Sequence, residues 1–160
     1  MTCKWMLSLA LLLTGLPVHA TMDNAQMSVW VNEVIVETYT YQYDDYHERQ
    51  KVFANYFTAK AWIAYIKALN ESKLLDEVKK NKYSVSAVAT MPPTITTSVP
   101  HHWNAVMPLL VRYKNPQIQQ KQFLEVAVDF TEAPSDQGVR GLAITSIQVK
   151  ISTPPCPCAE

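Results

Sequence analysis

The hydrophobic pattern of this chain changes period once, near Tyr83, and that change constrains the fold more than any other feature of the sequence. Before it, apolar residues recur at the spacing of amphipathic helices; after it, they alternate as in half-buried strands. Helices first and strands afterwards predict an α+β domain, in which N-terminal helices pack on one face of a curved antiparallel sheet of about four strands. Nothing repeats internally.

Met27, Trp30, Val31, Val34, Thr38 and Tyr41 form the first helical stripe, and Asp23 with Gln26 supplies a capping box at its start. The β-branched residues of the same stretch also tolerate a strand, and periodicity decides for helix. Val52, Phe53, Tyr56 and Phe57 predict a second short helix. Thr58 reads as the N-cap of a third, with Phe57 and Trp62 placed as a hydrophobic staple and Tyr65, Ile66 and Leu69 continuing its inner face. A fourth short helix would be capped by Ser72, turn Leu74, Leu75 and Val78 inward, and end in Lys79, Lys80 and Lys82.

Four alternating runs follow. Tyr83, Val85, Ala87, Ala89 and Met91 make the first, which Pro92-Pro93 interrupts. The second is Trp103, Ala105, Met107, Leu109, Val111 and Tyr113, the third Leu124, Val126, Val128 and Phe130, and the fourth Ala143, Thr145, Ile147, Val149 and Ile151. Pro108 inside the second run cannot donate to a ladder, which implies an edge position or a bulge. An edge there would be a place for another chain to add, so Pro108 is a candidate partner-surface residue.

Composition narrows the chemistry. With three glycines in 160 residues, Gly15, Gly138 and Gly141, no backbone loop is spaced to cradle a phosphate, and neither a Walker A loop nor a dinucleotide fingerprint is present. Fourteen Lys and Arg balance fourteen Asp and Glu, so the clustered positive charge of a general nucleic-acid binder is missing. No nucleic-acid partner and no cofactor are expected.

Residues 1–20 read as a secretory signal peptide: Lys4, an apolar stretch over residues 5–16, and Val18 and Ala20 at the small-residue recognition positions. The apolar stretch falls short of the roughly 20 residues of a membrane span and stops at Pro17. Cleavage between Ala20 and Thr21 would leave an exported, periplasmic or secreted chain, with membrane association only through partners or a retained leader. The expected division is a signal peptide at 1–20, an α+β domain at 21–152 and a Pro/Cys-rich tail at 153–160. Export permits disulfides, and removal of Cys3 leaves Cys156 and Cys158 in that tail. They are idle or locally oxidised thiols, or the site of an intermolecular disulfide.

Catalytic and metal-ligating combinations are weak. His101 and His102 are adjacent, point to opposite faces of a strand and lack further ligands at a suitable offset. His47-Glu48 does not continue into H-E-x-x-H, because Lys51 stands at the second histidine position. Glu125 and Asp129 share the strand face opposite Leu124, Val126, Val128 and Phe130 and so point away from the core. No nucleophile elbow occurs, and no enzyme activity is expected. The tyrosines are more informative: Tyr39 and Tyr43 lie one helical turn apart and Tyr46 follows closely, as core packing or as a partner-binding patch with large apolar area and polar tips.

Several segments in order resemble the periplasmic domain of the DotI/IcmL family, components of the type IVB (Dot/Icm) secretion and conjugation machinery. They are Trp30 with Asn32-Glu33, Tyr39-Thr40-Tyr41, Tyr56-Phe57-Thr58 with Trp62, Lys67-Ala68-Leu69, and the run from Val85 to Thr90. Trp103, Met107-Pro108-Leu109-Leu110-Val111 and Tyr113 complete the set, over about residues 29–149. The resemblance implies a cystatin-like or nuclear-transport-factor-like cone, similar to the VirB-type periplasmic assembly factor. It also implies a non-catalytic, inner-membrane-associated scaffold that oligomerises and docks other secretion-system or envelope proteins. Members of the DotI type carry a cytoplasmic tail and a membrane-spanning helix where this chain has a short leader, which points to a soluble accessory subunit or a stand-alone paralogue. The alternative is a small-molecule-binding or isomerase-like protein that uses the interior of the cone. That reading needs an apolar pocket with Asp129 or a histidine turned inward.

Overall fold

Helix α1 (Asn24–Thr38) begins where the capping box predicts. The Asp23 carboxylate accepts from the Gln26 backbone N–H at 2.7 Å, and the Gln26 side chain accepts from the Asp23 N–H at 3.3 Å. The computed structural model describes residues 23–133 and 137–153 of the chain. Met27, Trp30, Val31, Val34, Ile35 and Thr38 turn inward. The helix then stops short of the expected stripe. Tyr39 and Thr40 donate to carbonyls three residues back, which tightens the last turn, and Tyr41 leaves it for the two-residue strand β1 (Tyr41–Gln42). Tyr41 is still buried, but from the sheet.

The second helix follows Asp44 and Asp45 and ends earlier than predicted: α2 (Tyr46–Phe53) buries Tyr46 and Phe53 and leaves Val52 exposed, and a 3-10 turn over Ala54–Tyr56 leads to extended Phe57. Helix α3 (Ala59–Ser72) follows its signals closely. The Thr58 hydroxyl accepts from Ala61 N–H at 3.3 Å, and the Phe57 and Trp62 rings meet at 5.5 Å as the staple requires. Helix α4 (Leu74–Asn81) is reached through Lys73 in a left-handed conformation, and the Ser72 hydroxyl accepts from Leu74 N–H.

Among the described residues six strands, rather than about four, form one antiparallel sheet. Strands β2 (Ser84–Ala89), β4 (His102–Lys114), β5 (Gln119–Glu132) and β6 (Leu142–Ile151) are the predicted runs; β1 and β3 (Thr94–Val99) are additional. The order is β1-β2-β4-β5-β6, with β3 pairing β4 on the same side as β2. Strand β3, sequence TITTSV, has only Ile95 partly buried, so it shows no alternating apolar signal.

This topology corrects the edge reading of Pro108. Strand β4 is interior, paired along its length with β5 and on its other side with β2 and then β3. The Pro108 carbonyl accepts from Thr90 N–H at 3.0 Å, so its proton-less nitrogen faces the same neighbour, where Met91-Pro92-Pro93 separates β2 from β3. The absent N–H falls at a gap in the partner strand.

A second correction concerns β6. Its register against β5 slips by one residue at Thr145, which has no partner: Phe130 faces Ile144, while Asp129 faces Ser146. Such a bulge reverses the alternation. Leu142 and Ile144 therefore face inward before it, in place of the expected Ala143 and Thr145, and Ile147, Val149 and Ile151 share the inner face beyond it. The core lies between that face and α1, α2 and α3, with Ala105, Met107, Leu109, Val111, Val126 and Val128 fully buried beneath the helices.

Candidate partner-binding surface

The interior that a ligand-binding cone would need is occupied. Phe130 lies between Trp30, at 5.3 Å, and Trp103, at 5.5 Å, and Met107 below them is fully buried. Asn32 on α1 reaches the Met107 sulfur at 3.9 Å. Asp129 is on the opposite face, accepting from Asn104 Nδ2 at 2.8 Å, and Glu125 beside it is exposed. His101 pairs with Glu132 at 2.9 Å on the surface, and His102 bonds the Pro100 carbonyl. Among the described residues no three His, Cys, Asp or Glu side chains converge on a metal position.

The middle of α1 is fastened by polar contacts. Trp30 Nε1 donates to the Val139 carbonyl at 3.0 Å, the Tyr56 hydroxyl donates to Glu33 Oε1 at 2.8 Å, and Arg140 pairs with Glu33 Oε2. The Tyr56 hydrogen bond and then Arg140 hold the Glu33 carboxyl below the usual carboxylate range, although burial opposes them. Burial and the adjacent carboxylate push the Tyr56 phenol up to about 12. The loop that delivers Val139 and Arg140 depends on Gly138 at φ +71, where a Cβ would collide with the Leu142 carbonyl oxygen.

Between this fastened helix and the break in the sheet runs an open groove of about 510 Å³, lined by Val29, Asn32 and Glu33 on one side and by Thr90, Met91 and Pro92 among others on the other. Val29 is 59% exposed and Met91 57%, so the groove offers apolar surface to solvent. The Thr90 hydroxyl in its wall is buried without a hydrogen-bond partner among the described residues. A second concavity, of about 390 Å³, continues past Val29 to Asp23 and Arg140. Sequence pattern alone does not single out these residues as a surface. Their signals were Val29 lying off the inward stripe of α1 and the Pro92-Pro93 interruption of the strand pattern.

The tyrosine patch is corrected. Because α1 ends at Thr38, Tyr39 and Tyr43 are not one helical turn apart, and Tyr46 is only 2% exposed. Tyr46 packs edge-on against Tyr41 at 4.9 Å and accepts from Gln50 at 2.9 Å; burial pushes its phenol up to about 12. Burial also raises Tyr39, Tyr41, Tyr65 and Tyr113. These rings belong to the core, and of the three candidates only Tyr43 is exposed. Pro108 lies half-buried on the outer face of β4. Ala20, Thr21, Cys156 and Cys158 lie outside the described residues, and no described helix is long and apolar enough to cross a membrane.

Comparison with known proteins bears on this arrangement. Residues 10–150 match the model of the DotI/IcmL family, described as a type IV b secretion-system inner-membrane complex component. An IcmL-like type IV secretion-system protein from Legionella pneumophila is similar at 55% identity, with a TM-score of 0.82 over 86% of this chain and 99% of that one. The periplasmic domain of DotI is 28% identical, with a TM-score of 0.79 over 84% of this chain and 99% of that one. CagV of Helicobacter pylori, a VirB8 homologue, shares the fold at 10% identity, with a TM-score of 0.65 over 81% of this chain and 99% of that one. No curated protein matches the chain. The expected α+β architecture, helices on a curved antiparallel sheet, is thus shared with VirB8-like proteins.

Proposed function

The chain belongs to the DotI/IcmL family of type IV b secretion-system inner-membrane complex components, and from that premise we propose that it is a non-enzymatic periplasmic scaffold or assembly factor. In this reading residues 1–20 export it, cleavage falls between Ala20 and Thr21, and the domain over 21–152 docks other secretion-system or envelope proteins and further copies of itself. The tail at 153–160 would carry Cys156 and Cys158 as idle or locally oxidised thiols, or as the site of an intermolecular disulfide. One observation carries the proposal: the interior is filled by Trp30, Met107, Trp103 and Phe130, while the apolar concavities open outward along α1 at Val29 and Met91. A surface of that kind suits a protein partner better than an enclosed small molecule.

The test is site-specific photo-crosslinking from Val29 and Met91 of the full chain in its native bacterium, with mass determination of the mature N-terminus. Adducts to secretion-system components, from a chain beginning at Thr21, are expected. Adducts to none of them, together with unimpaired secretion after deletion of the gene, would overturn the role.

A further inference from the structure

Among the described residues, the edge formed by β6 is open over part of its length. Strand β6 ends the strand order, and only its first half is covered: Phe57 bridges Ile144, and Thr58 N–H donates to the Ile144 carbonyl at 2.9 Å. From Ile147 onward the edge has no partner among the described residues. Ser152 N–H donates to the Phe123 carbonyl at 2.9 Å, which fixes the phase of the ladder. Lys150 and Gln148 therefore bond inward to β5, and Ile147, Val149 and Ile151 turn their N–H and C=O groups out. The same three side chains share the inner face with Leu124, Val126 and Val128, yet Val149 is 46% exposed and Ile151 76%. Three β-branched apolar residues with free backbone groups form a template for another strand.

We propose that a second copy of this chain occupies this edge, β6 against β6 in antiparallel pairing about a two-fold axis at Val149. The side-chain pattern selects that register. Centred on Val149, Val149 faces its own equivalent and Ile147 faces Ile151, so every exposed apolar residue is matched. On the outer face Lys150 stands opposite a neutral Gln148 of the second copy, while Glu125 flanks it on β5 of its own chain. Centring on Lys150 would oppose two ammonium groups, and centring on Gln148 would leave Ile151 against Thr145. A partner of different sequence would have no need of this self-complementarity. A single strand pair lies below the roughly 1,200 Å² of a standard stable interface, so the association is weak and concentration-dependent in isolation. The inference names the surface for the self-association in the proposed function and rests on that reading only for its setting. If it fails, the docking of other secretion components stands, because that test reads different residues.

The experiment uses the full chain with its own leader, expressed for export, with Cys3, Cys156 and Cys158 changed to Ser. In a Val149→Cys variant the paired Cα atoms would lie about 5.5 Å apart, inside the range of about 4.4–6.8 Å for a disulfide. A disulfide-linked dimer on a non-reducing gel is expected, and much less of it from Lys150→Cys. Val149→Pro, which removes the outward N–H together with the valine side chain, should weaken self-association of the purified, folded chain at least about tenfold in sedimentation, the loss of two symmetric hydrogen bonds alone accounting for that factor. The proposal is overturned if Val149→Cys stays monomeric while its circular dichroism shows a folded domain. It is equally overturned if Lys150→Cys cross-links as well as Val149→Cys, or if Val149→Pro leaves association unchanged.

Discussion

The two faces of the sheet are built from alternate residues of the same strands, and they solve different problems. On the inner face of β4 and β5, Ala105, Met107, Leu109, Val111, Val126, Val128 and Phe130 are buried under the helices. On the outer face, Val106, Pro108, Leu110 and Phe123 are only half-buried, Val88 is 56% exposed, and Arg112, Lys121 and Glu125 are solvated. No described helix covers that side. Ordinary half-buried sheets place polar residues there; here an apolar row, Val88, Leu110 and Phe123, crosses three strands in register. Burial on the inner face specifies the fold, whereas apolar residues on the outer face add little to it and remain available for contact.

The largest test of this difference is on the inner face. Phe130 contacts both Trp30 and Trp103, and truncation leaves a cavity that neither rigid indole fills. Phe130→Ala should lower unfolding stability by about 3–5 kcal/mol in denaturant titration. A loss under about 1 kcal/mol would mean that the inner face is not the dominant core.

That inner face was also the legible part of the sequence. The inward set of the third strand run is legible because Leu124, Val126, Val128 and Phe130 alternate without interruption, and α3 is legible to its N-cap because Thr58 and the Phe57–Trp62 staple are local signals. What was not legible depends on neighbours distant in sequence. Pro108 implied an edge because a missing N–H usually finds one; the gap beside it exists only once β2 and β3 are both placed on β4. The slip at Thr145 leaves no mark on composition, and it is set by the pairing with Phe130 and Asp129. The groove along α1 was missed for the same reason, since Val29 and Met91 come together only after the helix docks.

An intermediate effect is expected where the helical layer is fastened over that inner face. Glu33→Gln removes the charge that Arg140 meets and weakens the hydrogen bond from Tyr56. Both partners of the ion pair are partly exposed, so solvent screening keeps its contribution small, and the total loss should be about 1 kcal/mol at neutral pH. The Glu33 carboxyl is held below its ordinary value of 4.5 in the folded chain. The stabilisation is therefore present above that value and lost as pH falls through the lower folded one. Wild type and Glu33→Gln should differ in thermal stability at neutral pH and converge on acidification; a gap that persists in acid would show that the side chain acts by packing alone.

The smallest expected effect is on the outer face. Val88 pairs across β4 with Leu110 but has no helix above it, and more than half of its surface already meets water. Val88→Ser removes two methyl groups and some β-propensity without opening a cavity, and the hydroxyl is satisfied by solvent. Unfolding stability should change by no more than about 0.5 kcal/mol. The informative measurement is thermal unfolding of this variant beside a Val128→Ser variant on the inner face, where an unpartnered hydroxyl would be buried and the loss should reach about 2 kcal/mol or more. Equal losses would erase the distinction between the faces and place the outer apolar row in the core. A large difference leaves that row free of any structural duty that would explain its composition.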